Sequence, residues 1–260
     1  MADVMVEYRD IRKSFDVPVL EGVSFAVMEG EMFAIFGPSG TGKSVLLKTT
    51  LGLVEPDQGD VCVDGQSVYF SGKHGLLRAR SMVGYVFQNA ALFDSLNVLD
   101  NVLMGIPEGE LASIPRTEAA RRAWESLELV NLDPDIVLGK LPAELSGGMR
   151  KRVGIARAIV GKPRILLWDE PTTGLDPINT AAVERLIVRL SNDLETTSIV
   201  VTHDIEGGLE ICDRVAMLDG GNVRFLGTPE AFRASDDPVV KAFVDRAAAE
   251  AALDLAGDPT

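Results

Sequence analysis

One stretch of eight residues carries the residue types and the spacing that bind nucleotide phosphates. Residues 37–44 read Gly-Pro-Ser-Gly-Thr-Gly-Lys-Ser and fit G-x-x-x-x-G-K-[ST], between an apolar, strand-like run at 32–36 and a helix-like segment from residue 45. Glycines let backbone N–H groups curl around a phosphate, and the dipole at the start of the helix favours its negative charge. Lys43 is expected to reach the β- and γ-phosphates, and Ser44 to place its hydroxyl on Mg²⁺. The residues predicted to contact a nucleoside triphosphate are Gly37, Ser39, Gly40, Gly42, Lys43, Ser44 and Val45.

A second candidate element ends a later apolar run. Residues 165–168 are Ile-Leu-Leu-Trp, and Asp169 and Glu170 follow directly. Ligands of open α/β sheets bind at the carboxyl ends of the strands, so Asp169 is expected to hold Mg²⁺ through its water shell. Glu170 is then expected to polarise the water that attacks the γ-phosphate. Two solvated acids at a strand end are the simpler alternative, but the phosphate loop earlier in the chain favours the catalytic interpretation.

The composition limits the class of protein. The 260 residues are 46% hydrophobic and 25% charged, which is ordinary for a globular protein. The formal net charge of −14 argues against nucleic acid as the main partner, because phosphate backbones are bound by basic surfaces. Cys62 and Cys212 form no C-x-x-C pair and are expected to be small buried residues in a reducing compartment. No apolar run approaches the ~20 residues that span a bilayer, and the N-terminus lacks the features of a secretory signal, so we expect a cytoplasmic protein.

Strand-like and helix-like segments alternate in a way that predicts the fold class. Short β-type runs occur at 4–8, 23–27, 32–36, 59–63, 82–87, 165–168, 198–201 and 214–218. Residues from about 98 to 160 are helix-like, and another helix is expected at about 179–194. This order implies an α/β protein with a largely parallel sheet and an inserted helical lobe. The helix expected at 118–130 should bury Ala120, Ala123, Trp124 and Leu127.

The segment Leu145-Ser146-Gly147-Gly148-Met149 resembles the signature sequence of ATP-binding cassette (ABC) ATPases. The resemblance extends from about residue 4 to about residue 245. It implies a P-loop NTPase (RecA-like) core with a mainly parallel sheet, an antiparallel β subdomain and an inserted α-helical subdomain. The implied boundaries are 1–97 and 160–232 for the catalytic core, 98–159 for the helical subdomain with the signature, and 233–260 for a C-terminal helix and tail.

The same resemblance implies roles for single residues. Phe15 sits where the family stacks an aromatic ring on adenine, and His203 where a switch histidine contacts the γ-phosphate. Gln88 occupies the Q-loop position, which implies a role in binding Mg²⁺ and in coupling, and Asp176 belongs to the D-loop at the nucleotide. Simpler interpretations exist, since Phe15 could be a core residue, Gln88 a surface amide, and His203 a structural or solvated side chain. His74 is interpreted as a solvated loop residue without a role.

The signature has a physical meaning of its own. Ser146 is predicted to cap a helix whose apolar face comprises Met149, Val153, Ala156 and Val160. Its hydroxyl, the backbone of Gly147 and Gly148 and the helix dipole would form a second anion site. In the family each ATP lies between the phosphate loop of one subunit and the signature of the other, which implies a homodimer. Most members have Gln where this chain has Met149, which cannot donate a hydrogen bond. Trp168 is expected to pack between sheet and helix.

Four segments resemble one branch, the ATPases of Mce-type phospholipid transporters, which include the bacterial lipid-asymmetry (Mla) system. They are residues 87–96, 144–152, 169–178 and 236–244. This branch implies a homodimer on the cytoplasmic face of the inner membrane, below two copies of a permease, with an Mce-domain substrate-binding protein and in some systems a STAS-domain protein. The surface from Gln88 through Phe93, Leu96 and Val98 would receive a helix of the permease.

Two other functions remain open at this stage. One is an ABC ATPase for a polar solute such as an amino acid, which would differ chiefly in its permease. The other is a soluble ABC protein that acts on DNA or ribosomes, which predicts tandem cassettes, a coiled-coil insertion or a basic surface. The chain has one cassette, no heptad run and an acidic balance, so it does not favour that class.

Overall fold

A computed structural model describes residues 3–246 of the chain, which include ten strands, ten α-helices whose bounds follow, a 3-10 helix at Pro142–Glu144 and helical residues from 238 to 246. The strands in chain order are β1 (Val4–Ser14), β2 (Pro18–Met28), β3 (Met32–Phe36), β4 (Gln58–Val63), β5 (Gln66–Ser67), β6 (Val83–Val86), β7 (Ile165–Asp169), β8 (Thr197–Val201), β9 (Arg214–Asp219) and β10 (Asn222–Gly227). The helices are α1 (Lys43–Thr50), α2 (Gly72–Met82), α3 (Val98–Leu103), α4 (Glu108–Leu111), α5 (Arg116–Leu129), α6 (Pro134–Val137), α7 (Gly147–Ile159), α8 (Pro177–Asp193), α9 (Ile205–Ile211) and α10 (Pro229–Arg233). The described residues form two compact units, 3–75 with 199–246 and 76–198.

The first unit contains an antiparallel sheet with the strand order β2-β1-β4-β5. Strand β1 pairs with both β2 and β4, and its bulges let it bend as it continues to Ser14. The ring of Phe25 lies 4.9 Å from that of Tyr8 and stacks 5.1 Å from that of Phe33. The Tyr8 hydroxyl forms a 2.8 Å hydrogen bond with Thr50 Oγ1. These contacts fix the end of α1 against the antiparallel sheet.

The first unit also contains the strands that lead to the phosphate loop, in the order β10-β9-β3-β8. All five residues of β3 are buried, and β3 pairs in parallel with β9 from Phe33 opposite Arg214 to Phe36 opposite Met217. Continuous apolar runs of this kind are typical of parallel strands covered on both faces. Helix α9 approaches β3 closely, because a Cβ added at Gly208 would lie 2.7 Å from the Phe36 ring.

The second unit places two parallel strands beside a group of helices. Strands β6 and β7 pair in register from Val83 opposite Ile165 to Val86 opposite Trp168. Helix α7 packs tightly on β6, since a Cβ added at Gly84 would lie 2.3 Å from the Ala158 carbonyl oxygen. Helices α3 and α5 pack on α7 in turn. No strand occurs between residues 87 and 164, as the helix-like sequence of that segment predicts.

The predicted α/β class is confirmed, and several local predictions need correction. His74 lies in α2, not in a loop, although its side chain is exposed as expected. The buried face of α5 comprises Ala119, Ala123, Ser126 and Leu127, so Ala120 and Trp124 are only half-buried. Val98 is fully buried and therefore belongs to the core, not to a docking surface. The tail predicted at 247–260 lies outside the described residues, and the subdomain boundaries at 97, 159 and 232 stay predictions.

Candidate functional site

The phosphate loop in the first unit has backbone geometry that requires its glycines. Gly37 has φ 145°, and a Cβ there would lie 2.3 Å from the Leu218 carbonyl oxygen. Gly42 has φ 92° and is the N-cap of α1. Helix α1 then begins at Lys43, so Ser44 and Val45 lie in its first turn, where backbone N–H groups point toward a bound anion. The predicted order of strand, loop and helix is confirmed.

The ammonium group of Lys43 lies over this loop. Its side chain is buried, and Nζ donates to the carbonyl oxygens of Gly37 at 2.7 Å and Pro38 at 2.9 Å. The neighbouring residues Ser39 and Gly40 are exposed at the tip of the loop. A buried cation beside an exposed row of backbone amides suits a polyphosphate, because the ligand charge neutralises the ammonium and the helix dipole together.

Phe15 and His203 also belong to the first unit and both are exposed. Phe15 has 60% of its surface accessible, and Lys13 Nζ lies 5.5 Å from the centroid of its ring. The alternative that Phe15 is a core residue is therefore wrong. His203 lies just after β8, as predicted, separated from the strand by Thr202, whose Oγ1 accepts a 3.0 Å hydrogen bond from the Asp204 backbone N–H. The exposed ring of Phe15 is available for stacking on a planar ligand.

The second unit contains the two acids at the end of β7. Asp169 is the last residue of this fully buried strand, and its Oδ2 accepts a 2.8 Å hydrogen bond from the Tyr85 hydroxyl. Glu170 has φ 49°, so the chain turns sharply as it leaves the strand. Its Oε2 accepts hydrogen bonds from Gln88 Nε2 at 3.0 Å and from Thr173 Oγ1 at 2.9 Å. These two donors hold the Glu170 carboxylate in one orientation. The Gln88 amide therefore makes a specific contact within the site, unlike a solvated surface amide.

The segment after Gln88 is anchored to helix α7. Ala90 and Ala91 have φ values of 57° and 47°, a left-handed conformation that is costly for residues with a Cβ. Arg157 is buried, and its guanidinium donates to the carbonyl oxygens of Ala90 at 2.6 Å and Ala91 at 2.7 Å. Burial lowers the pKa of Arg157 from its ordinary value. These two hydrogen bonds hold the strained turn in place.

The start of α7 has the predicted N-cap, and of the predicted apolar face Met149 is only half-buried. Ser146 is its N-cap, and its Oγ accepts a 3.2 Å hydrogen bond from the Met149 backbone N–H. Gly147 is exposed, and a Cβ added at Gly148 would meet no atom within 4 Å. The first turn of α7 contains no acidic residue. The helix therefore presents open backbone and a positive dipole end to the surrounding space.

Comparison with known protein families identifies the family of this chain. Residues 20–173 match the family model described as ABC transporter. The chain belongs to the ABC transporter family. A relative named probable ribonucleotide transport ATP-binding protein mkl, from Mycobacterium leprae, is 37% identical over 93% of this chain and 69% of its own length. Methionine import ATP-binding protein MetN of Carboxydothermus hydrogenoformans is 41% identical over 88% of this chain and 67% of its own length.

Solved structures of ABC ATPases share the fold. The cbiO1 protein of Clostridium perfringens, part of the ABC transporter complex cbiONQ, has a TM-score of 0.79 at 28% identity over 93% of this chain and 95% of that one. The cassette MJ0796, a dimer bound to ADP and phosphate in a post-hydrolysis state, has a TM-score of 0.77 at 30% identity over 86% of this chain and 99% of that one. The predicted P-loop NTPase fold is confirmed, and the chain is an ATPase of this family.

The residues that the family would use for Mg²⁺ fit that ion. Ser44, Gln88 and Asp169 offer a hydroxyl, an amide and one carboxylate, all with the oxygen donors that Mg²⁺ prefers. Within residues 3–246 no group of three or more histidine, cysteine or acidic side chains could hold a metal by itself. Mg²⁺ in nucleotide sites generally keeps several waters and takes substrate phosphates as ligands, so few protein donors are required there.

Sequence reasoning did not find two side chains of this ABC ATPase that contact the candidate site residues. Tyr85 and Thr173 hold Asp169 and Glu170, yet neither stands out as a motif residue. Thr173 is three residues after Glu170, a spacing that could have signalled a local side-chain contact. Tyr85 could be found only by knowing that β6 is the parallel neighbour of β7. Asp176 is the N-cap of α8, where its Oδ1 accepts from the Asn179 N–H at 3.0 Å, and its predicted nucleotide contact stays a prediction.

The described part of the chain has no candidate membrane span. Across residues 3–246, no helix combines the length and the apolar character needed to cross a bilayer.

Proposed function

We propose that this ABC ATPase binds ATP at its phosphate loop and hydrolyses it with Glu170 as the general base. The observation that carries this assignment is the pair of hydrogen bonds from Gln88 and Thr173 to one Glu170 oxygen. A general base must be held within reach of the water whose proton it accepts, and orientation by fixed donors provides this. Glu170 directly follows β7 and is half-buried, so solvent can still reach it.

The phosphate loop would bind the nucleotide through charge and backbone donors. In our proposal Lys43 contacts the β- and γ-phosphates, while Gly37, Ser39, Gly40, Gly42 and Val45 contribute backbone contacts. Mg²⁺, held by Ser44, Gln88 and Asp169, would neutralise charge on the phosphates when bound. The exposed ring of Phe15 would stack on adenine, and His203 would contact the γ-phosphate. Each role is supported by the residue's place in its motif, and the roles of Ser39, Gly40, Phe15 and His203 are supported also by the exposure of these residues.

Nucleotide binding can be tested separately from hydrolysis. Lys43→Ala removes a charge-assisted contact and should weaken ATP binding about 10- to 100-fold in titration calorimetry. Lys48→Ala, on the same helix but five residues farther along, is the matched control and should bind ATP like the wild type. Equal affinities for wild type and Lys43→Ala would exclude the proposed lysine–phosphate contact.

The open start of α7 supports a composite site in a homodimer. We propose that Ser146, Gly147, Gly148 and Asp176 of one subunit complete the nucleotide site of the other. An exposed helix N-terminus without acidic residues is suited to bind an anion supplied from outside its own subunit. The dimeric state of the MJ0796 cassette, to which this fold is similar, is in keeping with this arrangement.

We further propose phospholipid as the cargo, in an Mce-type complex between inner and outer membranes. The support is the resemblance of residues 87–96, 144–152, 169–178 and 236–244 to the ATPases of that branch. In this proposal the chain lies on the cytoplasmic face of the inner membrane, bound to a permease, an Mce-domain protein and in some systems a STAS-domain protein. Phe93, half of whose surface is exposed, and the half-buried Leu96 would contact the permease.

Co-purification from native membranes tests the cargo. A tagged wild-type chain should bring down a multispan permease and an Mce-domain protein that carries phospholipid, and deletion of the gene should make cells sensitive to detergents. Tagged Phe93→Asp should lose the permease but keep basal ATP hydrolysis, whereas tagged Phe70→Asp, also at an exposed phenylalanine, should keep both. Recovery of the permease without any lipid-carrying partner, together with an intact barrier, would contradict the lipid assignment.

A polar-solute importer is the second candidate function. It is favoured by the names of the relatives, one described for ribonucleotide transport and the other for methionine import, at comparable identity to this chain. Recovery of a periplasmic amino-acid-binding protein in the same co-purification would support it. The assignments at the nucleotide site would be unaffected by that outcome.

A further inference from the structure

Lysine 151, on helix α7, contacts the loop that follows the proposed catalytic base. Lys151 Nζ donates to the carbonyl oxygen of Pro171 at 3.0 Å and to that of Thr173 at 2.5 Å. The side chain is half-buried, and this burial lowers the pKa of Lys151 from its ordinary value. An ammonium group taken partly out of water needs acceptors, and here both are backbone carbonyls of one short segment.

That segment determines where the Glu170 carboxylate points. Glu170 leaves β7 in the left-handed conformation, and the Thr173 N–H then donates to the Glu170 carbonyl oxygen at 3.3 Å to close a tight turn. The Thr173 hydroxyl donates to Glu170 Oε2 at 2.9 Å. A cation that fixes the Thr173 carbonyl therefore also fixes the hydroxyl that orients the carboxylate.

The same helix anchors the other donor to Glu170. Arg157 holds the Ala90 and Ala91 carbonyls, and Gly154 lets the backbone approach, since a Cβ there would lie 3.1 Å from Ala90 Cα. Residues 151, 154 and 157 are three apart, so each is a neighbour of the next on the surface of α7. The segments that contain Gln88 and Thr173, which donate to the Glu170 carboxylate, are thus both attached to α7, the helix that Ser146 caps.

We propose that Lys151 is a positioning residue that connects the loop at residues 170–173 to helix α7, so that the position of α7 determines the orientation of the Glu170 carboxylate. The inference rests on the proposed role of Glu170 as base. It predicts that Lys151 contributes to turnover and not to nucleotide binding. A lysine that merely stabilises the fold would instead lower thermal stability and affect all steps alike.

Three variants separate these possibilities. Lys151→Met keeps the length of the side chain but removes the charge and the donors, and kcat should fall about tenfold, with the KM for ATP within about twofold of wild type. Lys151→Arg keeps the charge and supplies N–H donors for both carbonyls, so it should recover most of kcat. Lys241→Met, the same change at an exposed lysine of the first unit, should leave both constants unaltered. The midpoint of thermal unfolding should shift by less than about 4 °C in Lys151→Met.

A double-mutant cycle tests whether Lys151 affects turnover through the Glu170 carboxylate. If Lys151 acts through the carboxylate, adding Lys151→Met to Glu170→Gln should change single-turnover hydrolysis by less than about twofold, since the group being positioned is already lost. A full tenfold loss in that background, near-normal kcat in Lys151→Met, or no recovery with Lys151→Arg would each overturn the inference. Normal turnover of Glu170→Gln alone would instead overturn the proposed base.

Discussion

The side-chain amide of Gln88 donates a 3.0 Å hydrogen bond to Glu170, although the two residues are 82 positions apart in the chain. Thr173 donates to the same carboxylate oxygen at 2.9 Å. The Q-loop and the proposed catalytic base are therefore in direct contact. Any partner that displaces the Q-loop must also disturb the orientation of the Glu170 carboxylate.

Replacing Gln88 distinguishes this contact from a role as a metal ligand alone. Gln88→Ala removes a donor and should lower kcat about tenfold. Gln88→Glu places a second carboxylate about 3 Å from Glu170, and the repulsion of like charges should make it worse than alanine. The kcat values of the two variants are compared by measuring phosphate release at saturating Mg²⁺ and ATP. Full activity of Gln88→Glu would show that the amide matters only as an oxygen ligand, and Asn89→Ala, at the exposed neighbour, controls for the loop.

A mixed dimer tests whether the nucleotide site is shared between subunits. One subunit carries Ser146→Arg and the other Lys43→Ala. If each site combines the phosphate loop of one subunit with the signature of the other, both substitutions fall in one site and the other site stays intact. About half of wild-type hydrolysis is then expected, because one of two sites remains complete. The matched control pairs a wild-type subunit with one that carries both substitutions, which damages both shared sites. Equal activity of the two pairings would contradict the composite site.

Two glycine substitutions, one where α7 approaches the turn at Ala90 and one at an open position of α4, should change stability in opposite directions. Gly154→Ala would place its Cβ 3.1 Å from Ala90 and should destabilise the fold by about 1–3 kcal/mol. Gly109→Ala, in α4, meets no atom within 4 Å and should stabilise slightly, by about 0.5–1 kcal/mol, because alanine favours helix. Denaturant unfolding measures both. A neutral Gly154→Ala would mean that the turn at Ala90 can move away freely.

Sequence reasoning located the elements that carry the candidate site residues, because each motif residue lies at a strand end or a helix start. The phosphate loop after β3, Asp169 at the end of β7 and Ser146 at the start of α7 all lie where local patterns placed them. Strand β10 was not predicted, since its residues alternate between exposed and half-buried and give no apolar run. The face of α5 was misplaced by one residue, because small alanines on both sides blur the helical periodicity.

The supporting contacts could not be predicted from one sequence. Lys151 and Arg157 read as ordinary basic residues of a helix, and their acceptors are backbone carbonyls of segments 20 to 67 positions away. Backbone carbonyls carry no sequence signal. Only the fold shows that α7 reaches both the Glu170 loop and the turn at Ala90.

The measurement that tests the central claim most directly is ATP hydrolysis by Glu170→Gln. The amide keeps the size of the side chain but cannot accept the proton of water, so turnover should fall about 10²- to 10⁴-fold while ATP binding stays within about twofold. The variant should accumulate as an ATP-bound dimer in size-exclusion chromatography with Mg²⁺ and ATP. Glu128→Gln, the same change at an exposed residue of α5, should hydrolyse ATP at the wild-type rate. Near-normal phosphate release by Glu170→Gln would contradict the assignment of Glu170 as the base.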